Sequence, residues 1–278
     1  MTGRLADINA RIDTVHKLDA VIKAMRGIAA ARVREAHQHL QSVRTYASTL
    51  GVGIAEVLAL APPLDVPAIQ GQSAAIVFAA EQGFAGSFSD RVFDAFERLS
   101  GPVQLFTIGS RGLPEAEERG IPVVWQAQMI SGPAQAPALA SLISDMVFDG
   151  IRRGTLGAIT VLHAVPGGSH QGDIMMKALM PFDFGRFPCL KTAEPPELTV
   201  PPAVLLQDLI EEYVFAQLVE ATLLSFAAEN EARMRAMIAA QDNTAETLAA
   251  MMATSRQLRQ EEITEEIIEL AVSGLQRG

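Results

Sequence analysis

Residues 5–60 read LADINARIDTVHKLDAVIKAMRGIAAARVREAHQHLQSVRTYASTLGVGIAEVLAL, a stretch without a single proline. Apolar side chains recur at Leu5, Ile8, Ile12 and Val15, then at Leu18, Ile22, Met25 and Ala29. After a slip they resume at Val33, Ala36, Leu40, Val43, Ala47, Leu50, Ile54 and Val57. Steps of three and four are the seam of a long helix lying on a partner helix. The slips near Leu18 and between Ala29 and Val33 predict a helix that is curved or locally unwound rather than uniformly heptad. At ~1.5 Å per residue the segment would reach roughly 84 Å, too long for a compact domain of this size.

The partner is at the other end of the chain. After Pro195, Pro196, Pro201 and Pro202 there is again no proline from Leu205 to Leu275. An interrupted apolar stripe runs through Leu209, Tyr213, Leu218, Phe226, Met234, Met237, Gln241, Leu248, Met251, Ser255, Leu258, Ile263, Ile267 and Leu270. Two long terminal helices around a central insert most simply pair antiparallel, each covering the other's stripe. Their far ends would then project beyond the globular part.

The middle has a different period. Ala74–Ala80, Val103–Ile108, Ile121–Trp125 and Ala158–Ala164 are short apolar runs of strand length, with a further candidate at Ile174–Pro181. Helical candidates lie between them at Ser89–Leu99, Leu113–Arg119 and Pro137–Arg153. This alternation predicts a small, mostly parallel, Rossmann-like α/β domain inserted into a long antiparallel coiled coil. The expected division is residues 1–62 for the first shaft helix, 63–204 for the α/β domain and 205–278 for the second shaft helix.

Composition narrows the function. Of 278 residues, 49% are hydrophobic and only 5% aromatic, so the core must rest on aliphatic side chains. Lys and Arg number 22 against 32 Asp and Glu, a net charge of −10. Such an anion is poorly suited to nucleic acid, which needs concentrated cationic charge. The single cysteine, Cys189, excludes an intrachain disulfide and fits a reducing cytoplasm. The start of the chain lacks the apolar core of a secretory signal, and the charge-poor stretch Ala47 to Leu64 still contains Glu56 and ends in prolines. We expect no membrane span.

Candidate chemistry is sparse. Glu81-Gln82-Gly83-Phe84-Ala85-Gly86-Ser87 follows the first strand and precedes a helix, where a phosphate loop would sit. It lacks the third glycine of a dinucleotide fingerprint and the Lys-Ser/Thr of a Walker loop, so tight backbone packing is the expected role. Gly109-Ser110-Arg111-Gly112 after the next strand is read the same way. His37 and His39 are two apart and diverge on a helix, while His163, His170 and Asp173 flank a Gly167-Gly168 turn and are expected to be solvated loop residues. No catalytic constellation, cofactor site or metal site is expected, and no direct small-molecule substrate.

Charge distribution is more telling. The first fifty residues hold eight bases (Arg4, Arg11, Lys17, Lys23, Arg26, Arg32, Arg34, Arg44) against four acids, whereas Glu261, Glu262, Glu265, Glu266 and Glu269 crowd the other end. Charge runs are ordinarily solvated helix faces. The weakly charged tip Leu270-Ala271-Val272-Ser273-Gly274-Leu275 is different, because a protruding apolar tip calls for cover by another protein.

Several segments carry a family resemblance. These are Ala6-Asp7-Ile8, Arg11-Ile12 and Thr14-Val15, then Ile22-Lys23-Ala24-Met25 with Ala29-Ala30, and Arg44-Thr45-Tyr46-Ala47. Near the other end come Glu229, Ala232-Arg233-Met234, Ala236-Met237 and Asp242-Asn243, then Arg259-Gln260, Ile263-Thr264, Glu266-Ile267 and Val272-Ser273-Gly274. In this order and separation they resemble the γ subunits of F-type ATP synthases, the central rotor shafts of those machines. The family's Asp-Arg-Gly-Leu-Cys-Gly-Gly is replaced by the segment from Glu81 to Ser87, Arg26-Gly27 stands for a commoner Glu-Met, and one extra residue separates Glu269 from Ser273. These departures point to a divergent branch, for which the alternative, sodium-associated ATPases are the candidate.

The resemblance implies a mechanical, non-catalytic subunit that couples ion flow through a membrane rotor to ATP synthesis or hydrolysis. Implied partners are the α and β subunits, the ε subunit and the membrane c-ring, at the cytoplasmic face of a prokaryotic plasma membrane. It implies that Lys23, Met25 and Arg26 face a β subunit, and that Arg259, Gln260, Thr264 and Glu266 make an upper polar contact. Leu270, Val272 and Leu275 would sit in an apolar bearing, and Glu194 would lie near the rotor ring. The competing readings are a non-rotary coiled-coil adaptor and a nucleotide-binding α/β enzyme with helical arms.

Overall fold

The computed structural model describes residues 2–60, 70–167, 173–187 and 197–275, and within them the side chains of residues 3–268. In chain order the elements are α1 (Thr2–Leu60), β1 (Gln72–Phe78), α2 (Phe88–Glu97), β2 (Val103–Ile108), α3 (Gly112–Glu118), β3 (Val123–Ala127), α4 (Ala136–Arg152), β4 (Leu156–Val165), β5 (Asp173–Met180) and α5 (Pro202–Leu275). Both terminal helices are uninterrupted, 59 and 74 residues long. The local unwinding expected at the phase slips of α1 is therefore not found. Backbone hydrogen bonding tolerates a drifting seam, because the drift only changes which side chains meet the partner.

The chain divides into two units, one of residues 29–233 and one made of residues 1–28 with 234–278. In the first, a five-stranded sheet has the order β3-β2-β1-β4-β5. The first four positions are parallel and β5 runs antiparallel to β4 at the edge. Period-two alternation splits β1 between two cores: Ala74, Ile76 and Phe78 face one layer while Ala75 and Val77 face the other. Burial on both faces explains why the parallel strands read as continuous apolar runs rather than alternating ones.

On one face α2 supplies Phe88, Val92, Phe93 and Phe96, and α3 supplies Ala116. The other face is covered by α4, through Leu139, Ala140, Ile143 and Val147, and by α5 and α1, through Leu218, Ala221, Leu224, Ala36 and Leu40. No residue of α5 from Tyr213 to Arg233 is exposed. A helix buried all round is a core helix. The sequence reading gave this segment only a stripe toward α1, whereas the sheet packs on its remaining faces. Within this unit α1 and α5 run antiparallel, tied by Arg44 Nε to Glu220 at 2.8 Å and by the Tyr46 hydroxyl donating to Glu212 at 2.6 Å. That bond, with the Glu212 charge, holds the Tyr46 phenol up at about 12. A third cluster joins Ile54 and Val57 to Leu206, capped by Phe182, Phe184, Phe187 and Tyr213 with ring centroids 5.1–5.7 Å apart.

By length and composition α1 also contains a window, of mean hydropathy 1.2, apolar enough to cross a bilayer. Its apolar residues Ile54 and Val57 pack on protein in the third cluster.

Arg119 fastens α2 to α3. It pairs with Asp94 at 2.7 Å, Glu97 at 3.4 Å and Glu115 at 2.7 Å, donates to the Asp90 carbonyl, and lies 5.8 Å over the Phe93 ring. Replacing it by Met keeps the stem and removes the fork, leaving the mostly buried Glu115 without its cation. Arg119→Met should cost about 1–2 kcal/mol, read as a lower Tm of the purified chain.

His163 sits inside β4, 2% exposed, with Nδ1 3.1 Å from the Ala164 carbonyl oxygen. The solvated-loop expectation for it is corrected: it lies within β4, as the run Ala158–Ala164 implied, and packing of the sheet buries it. Burial and the Lys177 cation of β5 push its pKa down from 6.5, while the Ala164 carbonyl and Glu220 of α5 oppose the shift. The folded imidazole thus stays neutral where the unfolded chain takes up a proton, so stability falls as pH drops through the unfolded value. His163→Gln should lose less Tm than the parent between about pH 7.5 and 5.5.

Candidate subunit-contact surfaces

In the unit of residues 1–28 and 234–278 the two helices again run antiparallel. Asn9 Oδ1 accepts from Ser255 Oγ at 2.9 Å and Arg26 Nη1 donates to Gln241 Oε1 at 2.7 Å. Ile22 is buried in the seam, but Leu18 is 52% exposed and is not the seam residue that the spacing predicted. With Val21 and Ile28, each 55% exposed, it forms an apolar strip on the outside of α1, next to half-buried Met25. Residues at i, i+3, i+7 and i+10 share a face, so this strip is continuous. A run of exposed aliphatics on a helix is the mark of a partner surface.

The basic residues beside Met25 divide. Lys23 is exposed and pairs with Asp19 at 2.6 Å. Arg26 is half-buried and turned onto Gln241 of α5. Sequence spacing alone could not separate these roles, because which cation faces the partner helix depends on the rotation of α1.

At the other end Arg4 and Leu5 of α1 line one small cavity together with Leu258, Glu261 and Glu262 of α5. Beyond this point the described part of α5 lacks a covering helix. Arg259, Gln260, Thr264 and Glu266 are all exposed, as are Ile263, Ile267 and Ile268. Thr264 Oγ1 donates back to the Gln260 carbonyl at 2.8 Å, which fixes its rotamer. The backbone of α5 continues helical to Leu275, but the side chains of Leu270, Val272 and Leu275 lie outside the described residues, as do Glu194, Cys189 and His170.

The strand-end loops are built for packing. Gly109 has φ +105°, and a Cβ there would stand 2.4 Å from the Ala79 carbonyl oxygen; at Gly112 it would stand 2.0 Å from Thr107 Oγ1. Four amides at the strand ends are already bonded to carboxylates. Glu229 of α5 accepts from the N–H groups of Glu81 and Gln82, each at 3.2 Å. Glu81 accepts from Ser110 N at 3.1 Å, Ser110 Oγ at 2.6 Å and Met129 N at 2.7 Å. Arg233 completes the arrangement, pairing with Glu229 and donating to the carbonyls of Gly83 at 3.2 Å and Gln82 at 3.4 Å. Sequence reasoning quoted Glu229 and Arg233 only as part of a motif. Their i, i+4 spacing in an otherwise apolar helical run was the available signal. Among the described residues no group of three or more His, Cys, Asp or Glu could hold a metal ion.

The sequence profile of a family described as ATP synthase matches residues 4–276. The ATP synthase gamma chain of Bdellovibrio bacteriovorus is 25% identical, covering 97% of each chain, and that of Geotalea uraniireducens is 27% identical with the same coverage. A chain of the Euglena gracilis mitochondrial ATP synthase, from its OSCP/F1/c-ring assembly, shares the fold with a TM-score of 0.69 at 13% identity, over 98% of this chain and 94% of that one. Two long terminal helices around a mostly parallel sheet, with almost end-to-end similarity to gamma chains, place this chain in the ATP synthase gamma-chain family.

Proposed function

We propose that the chain is the central-stalk rotor subunit of an F-type ATP synthase, a non-catalytic part that couples ion flow to ATP synthesis or hydrolysis. The colinear match over residues 4–276 carries this reading. Its partners are the α and β subunits of the catalytic ring, the ε subunit and the membrane c-ring, and it works as a peripheral component of that complex. The bacterial relatives favour the cytoplasmic face of a prokaryotic plasma membrane.

The mechanism follows from asymmetry. A pair of antiparallel helices has no three-fold symmetry, so three equivalent catalytic sites around it meet three different surfaces. Each rotational position biases each site toward an open or closed state. We assign the lower contact to Met25 and Lys23 with the apolar strip Leu18, Val21 and Ile28, and give Arg26 a role within the helix pair. The upper contact is assigned to Arg259, Gln260, Thr264 and Glu266, and the bearing to the tip with Leu270, Val272 and Leu275. Glu194 is proposed to lie near the rotor ring.

Co-expression with ATP synthase α and β subunits tests the reading, since a rotor subunit should co-purify in a stoichiometric complex and a non-rotary adaptor should not. Replacing Gln260 and Thr264 together by Ala should leave the stability of the free chain within about 0.5 kcal/mol of the parent, read as a nearly unchanged Tm, because both are exposed. The same change should weaken assembly or coupling by the equivalent of about 2 kcal/mol, roughly thirty-fold, if the groups are desolvated in the ring. A complex indistinguishable from the parent would leave these residues as a solvated face. Calorimetry of the isolated chain with ATP or NAD should show no saturable binding, as the loop lacks a Walker or dinucleotide fingerprint and two of its amides already bond Glu229.

A further inference from the structure

We infer that Glu229 and Arg233 form the joint that makes the sheet turn with α5, an inference that rests on the rotor reading above. Both side chains are almost completely buried, 4% and 5% exposed. Within one helical turn they bind both senses of the loop after β1. Glu229 takes the N–H groups of Glu81 and Gln82, while Arg233 gives to the carbonyls of Gln82 and Gly83. Asn230 holds the guanidinium in place, accepting from Arg233 Nη1 at 2.8 Å and donating its own amide to the Phe226 carbonyl. Glu81 then carries the connection to Ser110 after β2 and Met129 after β3, so the ends of three strands are fixed to one turn of α5. A neighbouring tie runs from Gly167 N, after β4, to Glu231 at 2.8 Å.

The rest of this helical turn offers little resistance to twist. Ala227, Ala228 and Ala232 pack on the sheet with small, smooth side chains, and apolar contact has no directional preference. Larger side chains such as Leu223 and Phe226 hold α5 in the core further back, and at the strand ends the polar bonds add the directional contacts that define its rotation and height. A buried ion pair adds little stability over a well-packed apolar pair, and its best-attested use is to fix register. In a rotor, that register is what passes torque between the sheet and the helix.

The test uses the assembled complex in sealed vesicles, with ATP hydrolysis and ion pumping measured together. Glu229→Gln and Arg233→Lys should keep hydrolysis but lower pumping per ATP about three-fold, within the range of coupling mutations. Exchanging the two residues should not restore it, because the amides of Glu81 and Gln82 need an acceptor at position 229. Arg119→Met, which lowers Tm in the same unit, should keep the pumping ratio. Parental pumping in both clasp variants, or an equal loss in Arg119→Met, would overturn the proposal, whereas a parent complex that fails to pump would count against the rotor reading instead. If the variants do not assemble, hydrogen exchange on the full chain decides. The amides of Glu81 and Gln82 should exchange about ten-fold faster in Arg233→Lys while those of Ala75–Val77 keep their protection; unchanged exchange would equally refute the joint.

Discussion

Burial of α5 on every side between Tyr213 and Arg233 is the constraint on which the sheet-bearing unit depends. One side of this segment is closed by α1 and another by the sheet, with α4 filling the layer beside it. Removing such an element would expose both cores at once. Its composition follows from that position: Val214, Leu218, Leu223, Leu224 and Phe226 provide volume, while alanines let strand ends approach closely.

The same burial makes the few polar groups of this segment consequential. A carboxylate and a guanidinium taken out of water must satisfy each other and the backbone around them, and Glu229 and Arg233 do both. By binding the amides and carbonyls of the loop after β1 they turn the customary ligand position of an α/β sheet into a structural fastening. A Rossmann-like strand order and a dinucleotide site are therefore separable properties. The order comes from how strands and covering helices pack, while the site would require free amides at the C-terminal ends of the strands.

In the unit formed by the two chain ends the balance is reversed. Two helices alone bury one seam, which leaves Leu18, Val21 and Ile28 outside on α1 and Ile263, Ile267 and Ile268 outside on α5. Exposed aliphatics at this density are costly for a chain that works alone and useful for one that works inside a ring of subunits.

What the sequence determined by itself is the architecture. Proline-free runs with steps of three and four can only be long helices, and short β-rich runs separated by helical candidates can only be a layered sheet, because both periods are written locally. It also carried, in Glu229, Arg233 and the blocks around Met25 and Gln260, the order of segments that marks the family. Tertiary structure decided the rest. The rotation of α1 turned Leu18 outward and Arg26 inward onto Gln241, although their spacing fitted either placement. Sheet packing buried His163 within its strand, and the approach of α5 made the loop after β1, read as a packing turn, into one half of a clasp. Each of these depends on which distant element arrives at a given face, and residue spacing along one chain segment holds no information about its neighbour's position.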